Sequence, residues 1–161
     1  MHQQGTLIFF CRKMGAGKTT KSQEIAYEKG AILLSEDEWL AAVYPEEIKD
    51  FESYIKYSSR LKHVLKKHVQ NLLKSGVSVV MDFPGNTEQQ RAWFKEIYTE
   101  CDIPHTLVYL EASDQLCLKQ IKQRRENQPE RAHFDTEEVF YQVNSYFQPP
   151  AEHEGFNIEN A

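Results

Sequence analysis

Lys18 and Thr19 directly follow Gly15-Ala16-Gly17, and an apolar run, Leu7-Ile-Phe-Phe-Cys11, stands just ahead of them. Strand, glycine-bearing turn and helix start, in that order, form the context a phosphate-binding loop requires. The backbone N–H groups from Met14 through Gly15, Ala16 and Gly17 to Lys18, Thr19 and Thr20 then converge on one spot. They donate hydrogen bonds to phosphate oxygens there, and the helix dipole favours the negative charge. Lys18 reaches the β/γ-phosphates as a point charge, and the Thr19 hydroxyl is placed to hold Mg²⁺. One position departs from the G-x-x-x-x-G-K-[ST] pattern: Arg12 stands where its first glycine belongs. A side chain there must turn away from the phosphates or collide with them.

Two acids come next. Asp82 ends the apolar run Val77-Ser-Val-Val-Met81, where a carboxylate can reach the ion coordinated by Thr19, directly or through water. A turn-forming Asp ahead of Phe83-Pro84-Gly85 is the simpler alternative. Asp37 follows the short run Ala31 to Leu34 and Ser35. Near a helix N-terminus it stays ionised and can accept the proton of an acceptor hydroxyl. Acids also occupy first turns for stability alone, so the residues themselves leave both roles open for Asp37. The same objection covers Glu36 and Glu38. A basic cluster, Lys119, Lys122, Arg124, Arg125 and Arg131, suits a flap that closes over a triphosphate and stabilises transition-state charge.

Other candidates carry less. The basic residues between 56 and 67 read as a solvated helix face. His63 and His68 are five apart, the wrong spacing for a metal pair on one helix face. Trp39, Tyr44 and Phe83 read as scattered core aromatics rather than an acceptor pocket. Asn86 is either a helix-start residue or a substrate contact, and Arg91 either a surface ion pair or a substrate contact.

These residues need a scaffold that brings them together. Strands are expected at about 6–11, 31–34, 77–81 and 104–110, with a short one at 155–158. Helices are expected at 18–28, 36–43, 51–74, 87–100 and 114–125, with a last one capped by Asp135. Ser35 with Glu38, and Thr87 with Gln90, have capping-box spacing. Gly30 and Gly76 end their helices. Tyr54, Tyr57, Leu61, Val64, Leu65, His68, Val69, Leu72 and Leu73 define one apolar face of the long helix. Short apolar strands alternating with amphipathic helices imply βαβ units and a parallel sheet, whose ligands bind beyond the carboxyl ends of the strands.

The bounds agree. The chain has 161 residues, enough for one domain spanning 1–161, with 40% hydrophobic and 27% charged residues. A net charge of −5 argues mildly against a general nucleic-acid coat. Cys11, Cys101 and Cys117 show no close pairing, so a reduced, cytoplasmic protein is the simplest reading. No signal peptide and no membrane-spanning run is expected.

The chain resembles the small P-loop kinase-like ATPases related to zeta toxins, chloramphenicol phosphotransferase and the kinase domain of polynucleotide kinases. The resemblance spans roughly residues 6 to 158. It rests on Cys11-Arg-Lys-Met-Gly-Ala-Gly-Lys-Thr-Thr20, on Leu34-Ser-Glu-Asp-Glu-Trp-Leu40, on Val79-Val-Met-Asp-Phe-Pro-Gly-Asn-Thr87 with Arg91, and on the arginine segment before Phe134-Asp135. It implies an α/β P-loop NTPase fold: a parallel five-stranded sheet in order 2-3-1-4-5, helices on both faces, and a short arginine-bearing lid at about 124–134. It also implies that Asp37 activates the acceptor, that Asp82 is the metal-associated acid, and that Arg124 or Arg125 touches the phosphates. Besides Arg12, the chain departs from polynucleotide kinases in having Glu38-Trp39-Leu40 after Asp37, where an arginine commonly stands. It also lacks the large insertion of a toxin with a sugar-nucleotide pocket. The expected activity is ATP- and Mg²⁺-dependent phosphoryl transfer to a hydroxyl of a small molecule. The rivals are a nucleotide-gated regulatory module and, less favoured, a polynucleotide 5′-kinase.

Overall fold

The apolar run at the start of the chain becomes β1, Leu7–Arg12, and all six of its residues are buried. Burial on both faces is what a continuous hydrophobic strand at the centre of a parallel sheet requires. The computed structural model describes residues 3–13, 18–129 and 136–161. Around β1 the chain alternates: α1 (Lys18–Lys29), β2 (Ile32–Ser35), α2 (Glu36–Val43), α3 (Phe51–Lys74), β3 (Val79–Asp82), α4 (Glu88–Glu100), β4 (His105–Leu110), α5 (Asp114–Asn127), α6 (Glu137–Asn144) and β5 (Ile158–Asn160). The five strands lie in the order β2-β3-β1-β4-β5, and every pairing is parallel. The order implied by the family resemblance is therefore the observed one.

Alternation along β1 divides the core. Leu7, Phe9 and Cys11 join Leu65, Val69, Leu73, Phe94 and Ile97 of α3 and α4 on one face. Ile8 and Phe10 meet Ile25 and Ala26 of α1 on the other. Phe9 and Phe94 stack with ring centroids 4.5 Å apart. A separate small cluster of Cys117, Ile121 and Phe140 ties α6 to α5.

The register sets the functional edge. Ser35 lies opposite Asp82 in the β2–β3 pair, and Arg12 lies opposite Leu110 in the β1–β4 pair. The starts of α2 and α4 and the segment after β1 therefore leave the sheet at the same, carboxyl edge. Gly85 lets the β3–α4 turn run close over β1, since a Cβ there would sit 2.2 Å from the Phe10 carbonyl oxygen.

Several local expectations need correction. Val64 is 68% exposed and His68 is exposed, while Ser58 is buried on the inner face of α3. The inner stripe keeps to a four-residue spacing after Ser58, at Leu61, Leu65, Val69 and Leu73. Ser35 caps α2 by accepting from the Glu38 N–H, but the Glu38 side chain returns no bond to the cap. Thr136, rather than Asp135, caps α6. The last strand is Ile158–Asn160, later than 155–158, because Gly155 has φ +72° and closes a 3-10 turn, Glu152–Glu154.

Candidate functional site

Asp82 ends β3 with its carboxylate buried and fully engaged. Its Oδ1 accepts from Arg12 Nη2 at 2.7 Å, and its Oδ2 accepts from the Ser22 hydroxyl of α1 at 3.0 Å. Arg12 therefore turns toward β3 and Asp82. Its side chain shares the α1 face of β1 with Phe10, and the guanidinium lies 4.9 Å from the centre of the Phe10 ring. Only 3% of Arg12 is exposed. Burial pulls its pKa down to about 10, opposed by Asp82 and, from further off, by Asp37. Arg12 stays charged at neutral pH. Among the described residues Arg12 Nη1 has no hydrogen-bond partner. A buried donor left in that state costs about 1–3 kcal/mol, and more when charged.

The backbone of Arg12 is pinned as well. Its N–H donates to Asn86 Oδ1 at 2.8 Å, and Asn86 in turn donates its own N–H to Gln90 Oε1 at 2.8 Å. Asn86 thus joins the end of β1 to the capped start of α4, where Thr87 and Gln90 form the expected reciprocal capping box.

Glu36 and Asp37 occupy the first turn of α2 and diverge. Glu36 is 2% exposed, whereas Asp37 is exposed. Glu36 accepts from the Tyr54 hydroxyl, and from the Ser58 hydroxyl at 2.7 Å, both on α3. Burial and the facing Glu36 carboxylate raise the Tyr54 phenol well above its ordinary range, so Tyr54 remains a donor. Lys62, one turn further along α3, lies over Trp93 at 5.4 Å and is pulled down by burial, with Glu36 opposing. The sequence pattern places Tyr54 on the apolar face and Lys62 on a solvated one. The spacing Tyr54, Ser58, Lys62 is a polar stripe at i, i+4, i+8, and it was the available signal.

Beyond β4 and beside Lys13 lies a cavity of about 380 Å³, lined by Tyr109, Glu111, Ser113 and Phe147 among others. That size falls within the span of small-ligand sites. Lys13 pairs with Asp114 at 2.9 Å and lies 5.9 Å from the Phe147 ring centre. In the last turn of α5, Arg124 is half-buried and Arg125 exposed. Met14, Gly15, Ala16, Gly17, Arg131 and the rest of 130–135 lie outside the described residues, as do the side chains of Lys18, Thr19 and Thr20.

Arg91 is not a surface pair. It is fully buried and holds Glu154 through two bonds, Nε to Oε1 at 2.9 Å and Nη2 to Oε2 at 3.1 Å. Its Nη1 donates to the Gly85 carbonyl at 3.0 Å. Phe83 and Tyr44 pack in the core, and Trp39 is 37% exposed.

The fold implies a metal, and the fit at Asp82 is poor. Both carboxylate oxygens already accept hydrogen bonds, and the charge is matched by Arg12. The described residues hold no cluster of three or more His, Cys, Asp or Glu able to bind an ion. None of the described helices is long and apolar enough to cross a membrane.

Compared with family models, the chain matches the AAA domain family over residues 7–150. The chain belongs to this family. Its P-loop kinase-like architecture recurs in solved structures at low identity. A candidate kinase from Chloroflexus aurantiacus has a TM-score of 0.76 at 21% identity, covering 99% of this chain and 85% of its own. The APS kinase CysC of Mycobacterium tuberculosis, in complex with AMPPNP and APS, has a TM-score of 0.61 at 20% identity over 92% of this chain and 84% of its own. A sugar kinase from Janibacter has a TM-score of 0.61 at 14% identity, over 98% and 85%. None of the curated proteins matches the sequence. Within this AAA domain, Arg12, Asp82, Asp37 and Asn86 all belong to the carboxyl edge of the sheet, or to the turns just beyond it.

Proposed function

We propose that this chain is an ATP-dependent phosphotransferase acting on a hydroxyl group of a small molecule. The observation that carries the reading is the β2–β3 register. It sets Ser35 against Asp82, so the exposed Asp37 emerges next to the carboxyl end of β3, the neighbour of the strand that precedes Lys18. In the proposed step the acceptor hydroxyl gives its proton to Asp37. Its oxygen bonds to the terminal phosphorus as the bond from that phosphorus to the bridging oxygen breaks, and ADP leaves. Lys18 and one of Arg124 and Arg125 balance the charge on the transferring group. The backbone from Met14 to Thr20 cradles the phosphates, and the cavity beside Lys13 takes the base. Thr19 would hold the nucleotide's Mg²⁺ through its hydroxyl. The solved neighbours named for APS and for sugars are in keeping with a small hydroxyl acceptor.

The test is a mass-spectrometric screen of hydroxyl metabolites for ATP-dependent phosphorylation, run alongside Asp37→Ala. The variant should keep ATP affinity and lose transfer. If Asp37→Ala phosphorylates the identified acceptor at the wild-type rate, the role given to Asp37 is wrong. A nucleotide-gated regulatory module is the second reading. The observation favouring it is the Arg12–Asp82 pair, which occupies the acid that a metal-dependent kinase would use. Tight ATP binding with no transfer across the screen would favour it.

A further inference from the structure

We infer that the outer face of α3 is a docking stripe for the sugar-phosphate backbone of a single nucleic-acid strand. The inference is independent of the phosphotransferase reading.

Charge segregation is the starting observation. α3 holds Lys56, Arg60, Lys62, Lys66, Lys67 and Lys74 against one acid, Glu52. Six cations less one anion give the helix +5, so the rest of a −5 chain carries −10. An exposed helix is ordinarily steadied by opposite charges four residues apart, and like charges at that spacing destabilise it. Here Lys56 stands four residues before Arg60, and Lys62 four before Lys66. An anion lying along the helix would relieve that repulsion.

Geometry turns the surplus into a line. At 3.6 residues per turn, Lys56, Arg60, His63, Lys67 and Lys74 fall within about 60° of the helix circumference, over a length of about 27 Å. All five are exposed, opposite the inner stripe of Leu61, Leu65, Val69 and Leu73. Lys56, Arg60, Lys67 and Lys74 form no ion pair among the described residues, whereas Lys66, on the flank, is held by Glu96 and Glu100 of α4. Lys56 Nζ and Arg60 Cζ each lie 5.4 Å from the centre of the Tyr57 ring, so both charges are placed before a ligand arrives.

The occupant follows from composition and shape. Protein interfaces are depleted in lysine and built around an apolar centre. This stripe is chiefly lysine, and among the described residues Val64 is the only large apolar side chain exposed alongside it on α3. A row of lysine and arginine suits phosphates, which carry most of the sequence-independent affinity for nucleic acids. A bilayer or a duplex is broad, and would bring the exposed Glu52, Glu96 and Glu100 against further anionic groups. A single strand is narrow enough to follow the line alone.

The test is fluorescence anisotropy with a labelled single strand of about 20 nucleotides, from about 50 to 200 mM salt and without ATP. It compares wild type with Arg60→Gln/Lys67→Gln and with a control, Lys29→Gln/Lys95→Gln, that removes the same charge from other helices. Four phosphate contacts predict a slope of about −3 in log affinity against log salt, a loss of about fiftyfold across that range. The stripe variant keeps two contacts, so it should bind more weakly at low salt and lose only about sevenfold. The control should follow wild type. Arg60 and Lys67 are exposed, so thermal unfolding should be unchanged.

Equal slopes for wild type and the stripe variant would overturn the inference. So would tighter binding of a duplex of the same sequence, of polyglutamate or of phosphatidylserine vesicles. A wild-type slope shallower than about −1, or no saturation by about 100 μM protein at low salt, would overturn it even if the stripe variant failed to fold. Each of these outcomes leaves ATP affinity and phosphoryl transfer untouched, and Asp37→Ala should bind the strand as wild type does.

Discussion

Ser58 donates its hydroxyl hydrogen bond to the Glu36 carboxylate at 2.7 Å, and that bond fixes the first turn of α2 against α3. Tyr54 completes the clamp on the other carboxylate oxygen. The neighbouring Asp37 is thereby held in the open by an acid that is itself shut away. Tyr54→Phe leaves one buried oxygen without its donor. The expected cost is about 1–3 kcal/mol of stability. If the clamp positions Asp37, kcat falls in the same variant while ATP affinity stays constant. Denaturant unfolding and steady-state kinetics on the acceptor found by the screen check the two halves.

Removing the Asp37 carboxylate while keeping its shape is the sharper probe of chemistry. Asp37→Asn should lower kcat by about 10²–10⁴, the usual contribution of a positioned general base. ATP affinity, measured by calorimetry, should be unchanged.

Arg124 and Arg125 are adjacent in the last turn of α5, so only one can face a given point. Arg124→Ala and Arg125→Ala, made singly, should divide. One loses about 10³ or more in kcat, and the other stays close to wild type. Equal small losses from both would remove the lid role from this turn.

The buried Arg91–Glu154 pair joins the start of α4 to the closing segment of the chain. Arg91→Ala strands a carboxylate and should cost about 3–5 kcal/mol. Burial pushes the Glu154 carboxyl up, but the bonds from Arg91 and from the Ala151 N–H outweigh it and leave its pKa lowered. A lowered carboxylate adds stability above its unfolded pKa and loses it as pH falls through the folded value. The urea midpoint of wild type should therefore drop as pH goes below about 4, and Glu154→Gln should flatten that limb.

Thiol labelling gives an independent check on packing. Burial raises the Cys11 thiol to about 11 and raises Cys117 as well, and both are fully buried. Iodoacetamide at pH 8 should modify the half-buried Cys101 in the native protein and reach Cys11 and Cys117 only after unfolding. Peptide mapping reads this directly.

Local patterns made much of the scaffold legible before any coordinates. The all-apolar β1, the three- and four-residue rhythm of α3, and the positive-φ glycines Gly30 and Gly76 announce themselves within a few residues. β5 was expected at 155–158 and lies at Ile158–Asn160, because its three residues are exposed and carry no hydrophobic alternation to fix the bounds. The site was legible as a set of residues and illegible as a set of partnerships. Arg12 and Asp82 are 70 positions apart, and Arg91 and Glu154 are 63 apart. No spacing rule spans such distances. Glu36 was hidden by its company: in a run of acids, nothing local marks the one that turns inward to meet hydroxyls on another helix.

The Arg91–Glu154 clasp also sets a timetable for synthesis. Translation proceeds from the amino end at about 5–20 residues per second, and domains fold as their parts emerge. A nascent chain that stops short of Glu154 has every strand but β5 in hand, yet holds a guanidinium inside its core with no carboxylate to meet it. The β3–α4 turn is anchored by that same guanidinium at Gly85, so its order is linked to the emergence of Glu154. Settling of the β3–α4 corner is thus coupled to a carboxylate 63 residues downstream.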